Sequence, residues 1–251
     1  MCLVRGLLPG VSTIQTVLSH STLWPVMHSP CQRSHLQHGG PAASFTDVTE
    51  AAIDLSRLQP AHERIVEAAR ELFCRHGIHA TGIDRILAAA GASKMALYGR
   101  FGSKDALLRE VLAREGADWR SGFFSAVEMA GPDATARLRG IASAMEQWYL
   151  GGRFYGCAFM NAIAEHDKSE HWLRDVAAAH HGKVLSFLGD LAAQAGFEEP
   201  AVLARQILLL IDGATAALMV TNDAAVVSIL ARNLDAVLKT ASVIPHGPPS
   251  P

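Results

Sequence analysis

From Ala61 onward the apolar positions recur every three or four residues, a spacing that predicts helices rather than strands. Ile65, Ala68, Ala69, Leu72 and Phe73 follow the i, i+3, i+4, i+7, i+8 pattern of one buried face. They place a first helix from about residue 61 to Gly77, where a glycine suits a left-handed cap. A short second helix is expected after Thr81 and Gly82, burying Ile83, Ile86 and Leu87 and stopping near Gly91. Ser93 then caps a third, Lys94 to about Phe101, with Leu97 and Phe101 on its inward side. Ser103 caps a longer fourth, to about residue 129, with Ala106, Leu107, Val111 and Leu112 inward. Further helices are predicted at about 133–150, 157–166, 170–195, 199–221 and 223–241, separated by Gly151-Gly152, by His166 to Ser169, by Gly196 to Pro200 and by Thr221 to Asp223. Alternation at period two is weak throughout, so the expected fold class is all-α.

Residues 1–58 break that texture. Pro9, Pro25, Pro30 and Pro41 stand among scattered Ser, Thr and His, and three arginines offset three acids. This stretch is expected to be a disordered extension, the alternative being an arm that tracks DNA or binds a partner. The Pro-rich end, 245–251, is expected to fray. The 251 residues are 49% hydrophobic and 18% charged with a net charge of -2, which excludes a disordered chain or a polycationic nucleic-acid coat. Cys2, Cys31, Cys74 and Cys157 form no CxxC pair, so neither a disulfide framework nor a zinc ribbon is indicated, and a reducing cytoplasm is expected. Pro9 and Gly10 interrupt the apolar start too early for an export signal. Ile207 to Val220 carries Asp212 and falls short of the roughly 20 apolar residues of a membrane span, so no membrane partner is expected.

Helix, short turn with glycine, helix is the helix-turn-helix arrangement, and a short helix of this kind fits the major groove of B-DNA. The exposed start of the third helix offers Lys94, which can donate to guanine, and Met95 and Ala96, which can make apolar contact with a thymine methyl. Arg85, Tyr98, Arg100 and Lys104 lie where side chains reach phosphates, and the amides near Thr81-Gly82 and near Ser93 and Ser103 suit phosphate oxygens. From Thr81 to Lys104 four basic residues face one acid, whereas 11 basic and 15 acidic residues follow Glu110, so positive charge gathers at one end.

The run Arg64-Ile65-Val66-Glu67-Ala68-Ala69, then Leu72-Phe73, Gly77, Thr81, Ile83, Ile86, Ala90-Gly91-Ala92-Ser93, Leu97-Tyr98, Phe101, Ser103-Lys104 and Leu107-Leu108 resembles the DNA-binding domain of the tetracycline-repressor (TetR) family. The chain departs from the usual pattern at Met95, where a small residue is common, and at Gly99, where a bulkier one is common; Gly99 offers the DNA no side chain. The resemblance implies a helix-turn-helix domain at 59–119 and a helical effector-binding and dimerisation domain at 120–244. It implies a transcriptional regulator, most simply a repressor, that binds a palindromic double-stranded operator as a homodimer and is released by a small-molecule effector. The last two helices are the expected dimer surface, since Ile207 to Ile211, Ala214, Ala217 and Leu218 are apolar nearly all round, and Val226, Ile229, Leu230, Leu234, Val237 and Leu238 complete a four-helix interface. Trp148, Tyr149, Phe159, Asn161, Glu165, Trp172 and Asp212 are the candidate ligand-binding residues. His166, His171, His180 and His181 raise a metal site, but none forms an i, i+4 chelating pair and there is no HExxH. No metal, cofactor or catalytic residue is expected. Two other classes stay open: a metal-assisted helical enzyme using the His-rich stretch, and a regulator that acts mainly through protein partners.

Overall fold

The computed structural model describes residues 59–244 apart from 152, 153, 168 and 170. The expected extension at 1–58 and tail at 245–251 lie outside the described residues. In chain order the helices are α1 (Ala61–His76), α2 (Ile83–Ala90), α3 (Lys94–Phe101), α4 (Lys104–Met129), α5 (Ala134–Leu150), α6 (Ala158–Glu165), α7 (His171–Gln194), α8 (Pro200–Thr221) and α9 (Ala225–Thr240). The fold is all-α. Among the described residues the only extended pairing is an isolated antiparallel bridge, Phe197 to Val243, which clips the end of the chain onto the α7–α8 turn.

Local chemistry sets the boundaries. The Ser93 and Ser103 hydroxyls accept the Ala96 and Ala106 amides at 3.2 and 3.0 Å and so start α3 and α4. Asp133 does the same for α5, accepting from the Ala136 amide at 2.8 Å. Gly91 ends α2 in the left-handed region, φ 56 and ψ 43, with the Ala92 amide returning to the Leu87 carbonyl. Gly77 ends α1 differently from the left-handed cap expected: it stands at φ 86 and ψ 159, a conformation essentially restricted to glycine.

Two apolar cores form, and α4, about 39 Å long at 1.5 Å per residue, runs through both. Its first half contributes Leu107, Leu108, Val111 and Leu112 to a core shared with α1, α2 and α3. Its second half contributes Phe123 and Val127 to a core with α5, α7, α8 and α9. Phe159 and Ala162 of α6 and Leu173 and Ala177 of α7 belong to the first core, although they follow it by some 50 residues in sequence. By length and composition α8 could cross a membrane, but it lies packed between α7 and α9.

Three arginines tie the first unit together. Arg70 of α1 pairs with Glu115 and Asp118 of α4, and Arg114 of α4 pairs with Glu63 of α1 and with Glu110. Arg64 reaches from α1 to the far end of α2, donating to the Ala90 carbonyl at 2.9 Å and the Gly91 carbonyl at 3.1 Å. A cation at that place also complements the negative end of the helix dipole. Replacing it, as Arg64→Ala, should lower unfolding stability by about 1–2 kcal/mol, since hydrogen bonds from a charged donor are worth roughly that. Urea unfolding with an unchanged midpoint would contradict this role.

Candidate nucleic-acid interface and ligand cavity

The eight residues of α3 divide by face. Leu97 is fully buried, and Ala96 and Phe101 pack partly buried against the same core. Lys94, Met95, Tyr98, Gly99 and Arg100 remain exposed, Met95 at 84% and Tyr98 at 49%. Lys94, Met95, Tyr98 and Gly99 lie one turn apart in pairs, so they form a single outward strip. An added Cβ at Gly99 would meet nothing within 4 Å, so no packing constraint demands glycine there. Lys94 Nζ stands 2.9 Å from Asp84 Oδ1, a solvent-exposed pair that links the outward faces of α2 and α3.

Three residues expected at this surface sit differently. The Ala96 methyl turns toward the core, where it packs partly buried on the same side as Leu97. Thr81 is wholly buried, its hydroxyl donating to the Gly77 carbonyl at 2.7 Å and its amide to the Ile78 carbonyl at 3.3 Å. It therefore shapes the α1–α2 turn, and the amides that open α2 follow it, after exposed Gly82. Lys104 donates from Nζ to the Ile78 carbonyl at 2.6 Å and stands 5.8 Å from the Phe73 ring centre, so its charge is spent on the same turn in this conformation. Arg85 and Arg100 are exposed, Arg100 leaning over Phe101.

The candidate ligand residues also separate. A cavity of about 40 Å³ lies between α4, α5, α6, α7 and α8, and of the seven residues expected only Trp148, Phe159 and Asp212 line it. Tyr149 points one residue's rotation away, into α8, where its hydroxyl donates to the Ile211 carbonyl at 3.3 Å and meets Thr215 Oγ1 at 3.0 Å. Burial pushes that phenol up to about 12. Asn161 donates to the Tyr155 carbonyl at 3.0 Å, and Trp172 lies under the Arg109 guanidinium at 3.7 Å. Glu165 is at the far end of α6, where its carboxylate accepts the Ile78 amide at 2.7 Å and the His79 amide at 2.9 Å.

Sequence reasoning missed Trp119 and Thr215, and weighed His180 only as a metal ligand; all three line the cavity. Gly116 of α4 makes room for this arrangement: a Cβ there would come within 2.8 Å of Phe159 and 3.0 Å of His180. The His180 ring stacks on Phe159 at 4.2 Å and its Nδ1 receives a 2.7 Å hydrogen bond from Arg120. With Nδ1 accepting, the ring proton sits on Nε2. Burial, and then the Arg120 charge, pull the imidazole down to about 3, so it is neutral. The buried Trp119 indole N–H has no acceptor among the described residues, an unsatisfied donor of the kind that a water or ligand atom satisfies. Burial raises the Asp212 carboxyl, opposed by His181 at 3.9 Å, and raises the Cys157 thiol, which stays protonated and therefore a poor nucleophile. Drug-sized ligands occupy roughly 300–1,000 Å³, so the cavity as it stands admits water, and a larger guest requires its walls to part. Among the described residues no three His, Cys, Asp or Glu side chains gather as a metal site would need.

Residues 65–111 match the model of the bacterial regulatory proteins of the tetR family. The HTH-type transcriptional repressor SCO4008 of Streptomyces coelicolor is 33% identical over 138 residues, covering 51% of this chain and 67% of that protein. The HTH-type transcriptional regulator UidR of Escherichia coli is 35% identical over 57 residues, 23% of this chain and 29% of UidR. Among solved structures, SCO4454, a TetR-family transcriptional regulator from Streptomyces coelicolor, superposes with a TM-score of 0.66 at 30% identity, covering 71% of this chain and 94% of its own. A TetR-type regulator from Streptomyces avermitilis gives 0.64 at 27% identity, covering 74% and 100%.

The His180 site generates a pH dependence. Unfolded, His180 takes up a proton as pH falls through about 6.5; folded, it does so only near about 3. The unfolded state therefore binds more protons in between, and stability is lost as pH drops through that window. Between pH 7 and pH 5 the loss should be about 1–2 kcal/mol, and urea unfolding of His180→Asn should show a smaller loss over the same interval. Equal losses in both proteins would refute a neutral buried His180.

Proposed function

Because this chain belongs to the tetR family of bacterial regulatory proteins, and is a helix-turn-helix DNA-binding transcriptional regulator, we propose the following action. It binds a palindromic operator as a homodimer in the cytoplasm, represses from it, and is released when a small molecule enters the cavity. Residues 59–119 serve as the DNA-binding domain and 120–244 as the effector-binding and dimerisation domain. The observation that carries this reading is the outward strip of α3 set on the buried anchor Leu97, flanked by exposed Arg85 and Arg100.

Lys94 and Met95 enter the major groove, with Lys94 leaving Asp84 to reach a guanine edge, and Tyr98 beside them reaches a phosphate. Arg85, Arg100, the amides behind Gly82 and Ser103, and Lys104 once released from Ile78, hold phosphates. For assembly, α8 carries an apolar stripe that the described residues leave bare: Val202 at 44%, Leu209 at 73% and Val220 at 86% exposed, with Ile229 of α9 at 46% alongside. Exposed apolar surface of this extent favours a partner, and a second copy supplies the same stripe by two-fold symmetry. Two recognition helices then meet half-sites a helical turn apart. The effector acts by a coupling free energy: a guest that parts the cavity walls lowers operator affinity, and the operator lowers affinity for the guest by the same factor. The relative SCO4008 is named a repressor, which supports the sign of the regulation.

The test uses the tightest duplex that the wild-type protein recovers from a random-sequence pool, titrated by fluorescence anisotropy across a series of salt concentrations. Arg100→Ala should weaken binding and lower the log–log salt slope by about 1, as loss of one phosphate contact does. Lys94→Ala should reduce discrimination at one base position by about 1–3 kcal/mol. Unchanged slope and unchanged discrimination would refute the assignment of α3. Independently, Leu209→Asp should convert a dimer to a folded monomer in sedimentation equilibrium at micromolar protein; a persisting dimer would place the interface elsewhere.

A further inference from the structure

The peptide group between α1 and α2 is held from opposite sides. The Ile78 amide and the His79 amide both donate to Glu165 Oε2, at 2.7 and 2.9 Å, while the Ile78 carbonyl accepts from Lys104 at 2.6 Å. The His79 ring closes the clasp, its Nε2 donating to the Glu165 main-chain carbonyl at 2.6 Å. A Cβ on Gly77 would stand 3.1 Å from Glu165 Oε1, so the turn and the carboxylate are fitted to each other. These partners are 86 and 87 residues apart in sequence. Glu165 is the last residue of α6, and the second residue of that helix, Phe159, is a wall of the cavity stacked on His180. Eight residues of helix span about 12 Å, so Phe159 and Glu165 stand near opposite ends of one short element.

We infer that Glu165 is a positioning residue for operator recognition. It fixes the α1–α2 turn, hence the tilt of α2 and α3, and transmits displacement of Phe159 at the cavity end of α6. This inference rests on the regulator reading above and adds a route through α6 beside that of α4, the covalent link between the two cores. A guest entering between Phe159, Trp148 and Asp212 shifts α6 along or about its axis. The clasp at its other end then loosens or drags the turn, and Lys104 with it.

Two readouts test it without a known effector. The first is hydrogen exchange of the Ile78 and His79 amides in wild type and in Glu165→Gln, which keeps the side chain's size but removes its charge. Exchange at both amides should quicken at least tenfold while that of α1 is unchanged; equal rates would overturn the clasp. The second is a double-mutant cycle in affinity for the duplex recovered by wild type, using Phe159→Ala as the disturbance at the cavity. Phe159→Ala should change affinity at least threefold in the wild-type background and less than twofold in the Glu165→Gln background. An effect of the same size in both backgrounds, or no effect in either, overturns the inference. Should Glu165→Gln fail to fold, both measurements are made with Glu165→Asp, which keeps the charge but draws the carboxylate back from the two amides, and the same outcomes decide. If wild type recovers no sequence-selective duplex, the regulator reading fails, while hydrogen exchange still reports on the clasp.

Discussion

An eight-residue helix has too little cooperativity to persist in water by itself, and α3, which presents the outward strip, is such a helix. Its shape is borrowed. Leu97 is driven into the core with no residual exposure, Ser93 satisfies an otherwise unpaired amide at its start, and Gly102 lets the chain turn at once into α4. Because Ala96, Leu97 and Phe101, three of its eight residues, are spent on anchoring, only the remaining face is left for reading. The identity of that face follows from where Leu97 and Phe101 fall. The rest of the first unit makes the anchor firm, with α1 and α4 forming its floor, Arg70 and Arg114 tying those two helices together and Arg64 tying α1 to the end of α2.

The same economy couples the two ends of the molecule. α4 belongs to both cores, so the cavity is not a separate compartment but a gap beside a helix whose other half supports α3. Gly116 sits between the two halves and admits Phe159 and His180 against the α4 backbone. His180 is kept neutral there by burial and by Arg120, and a neutral ring can stack on Phe159 without the cost of a buried unpaired charge. Polar groups left over in this gap, the Trp119 N–H and the Asp212 carboxyl, are what a guest would find.

Much of the architecture was legible because local signals agree with one another. Period 3.6 patterns, Ser93 and Ser103 as caps and Gly91 as a stop place α1 to α4 to within a residue or two, and Leu97 was inward by spacing alone. What was not legible depends on partners distant in the chain. Nothing local says that the Thr81 hydroxyl turns inward, that Lys104 bonds the Ile78 carbonyl, or that Glu165 ends on a turn 86 residues earlier. Trp148 and Tyr149 are adjacent, so about 100° of helix rotation separates them; one lines the cavity and the other faces α8, and composition cannot choose between them. A helix apolar nearly all round likewise hides its orientation, which is why Leu209 emerges as the bare residue only once α7 and α9 are in place.

The proposed action requires α3 and its flanks to form a sequence-reading surface duplicated by two-fold symmetry. Sequencing the random duplexes retained by wild-type protein, at one stated salt concentration because such affinities depend steeply on salt, tests it most directly. The account predicts enrichment of a short inverted repeat whose half-site centres lie about one helical turn apart. Retention of duplexes without any shared sequence, or of a single unrepeated site, would contradict it.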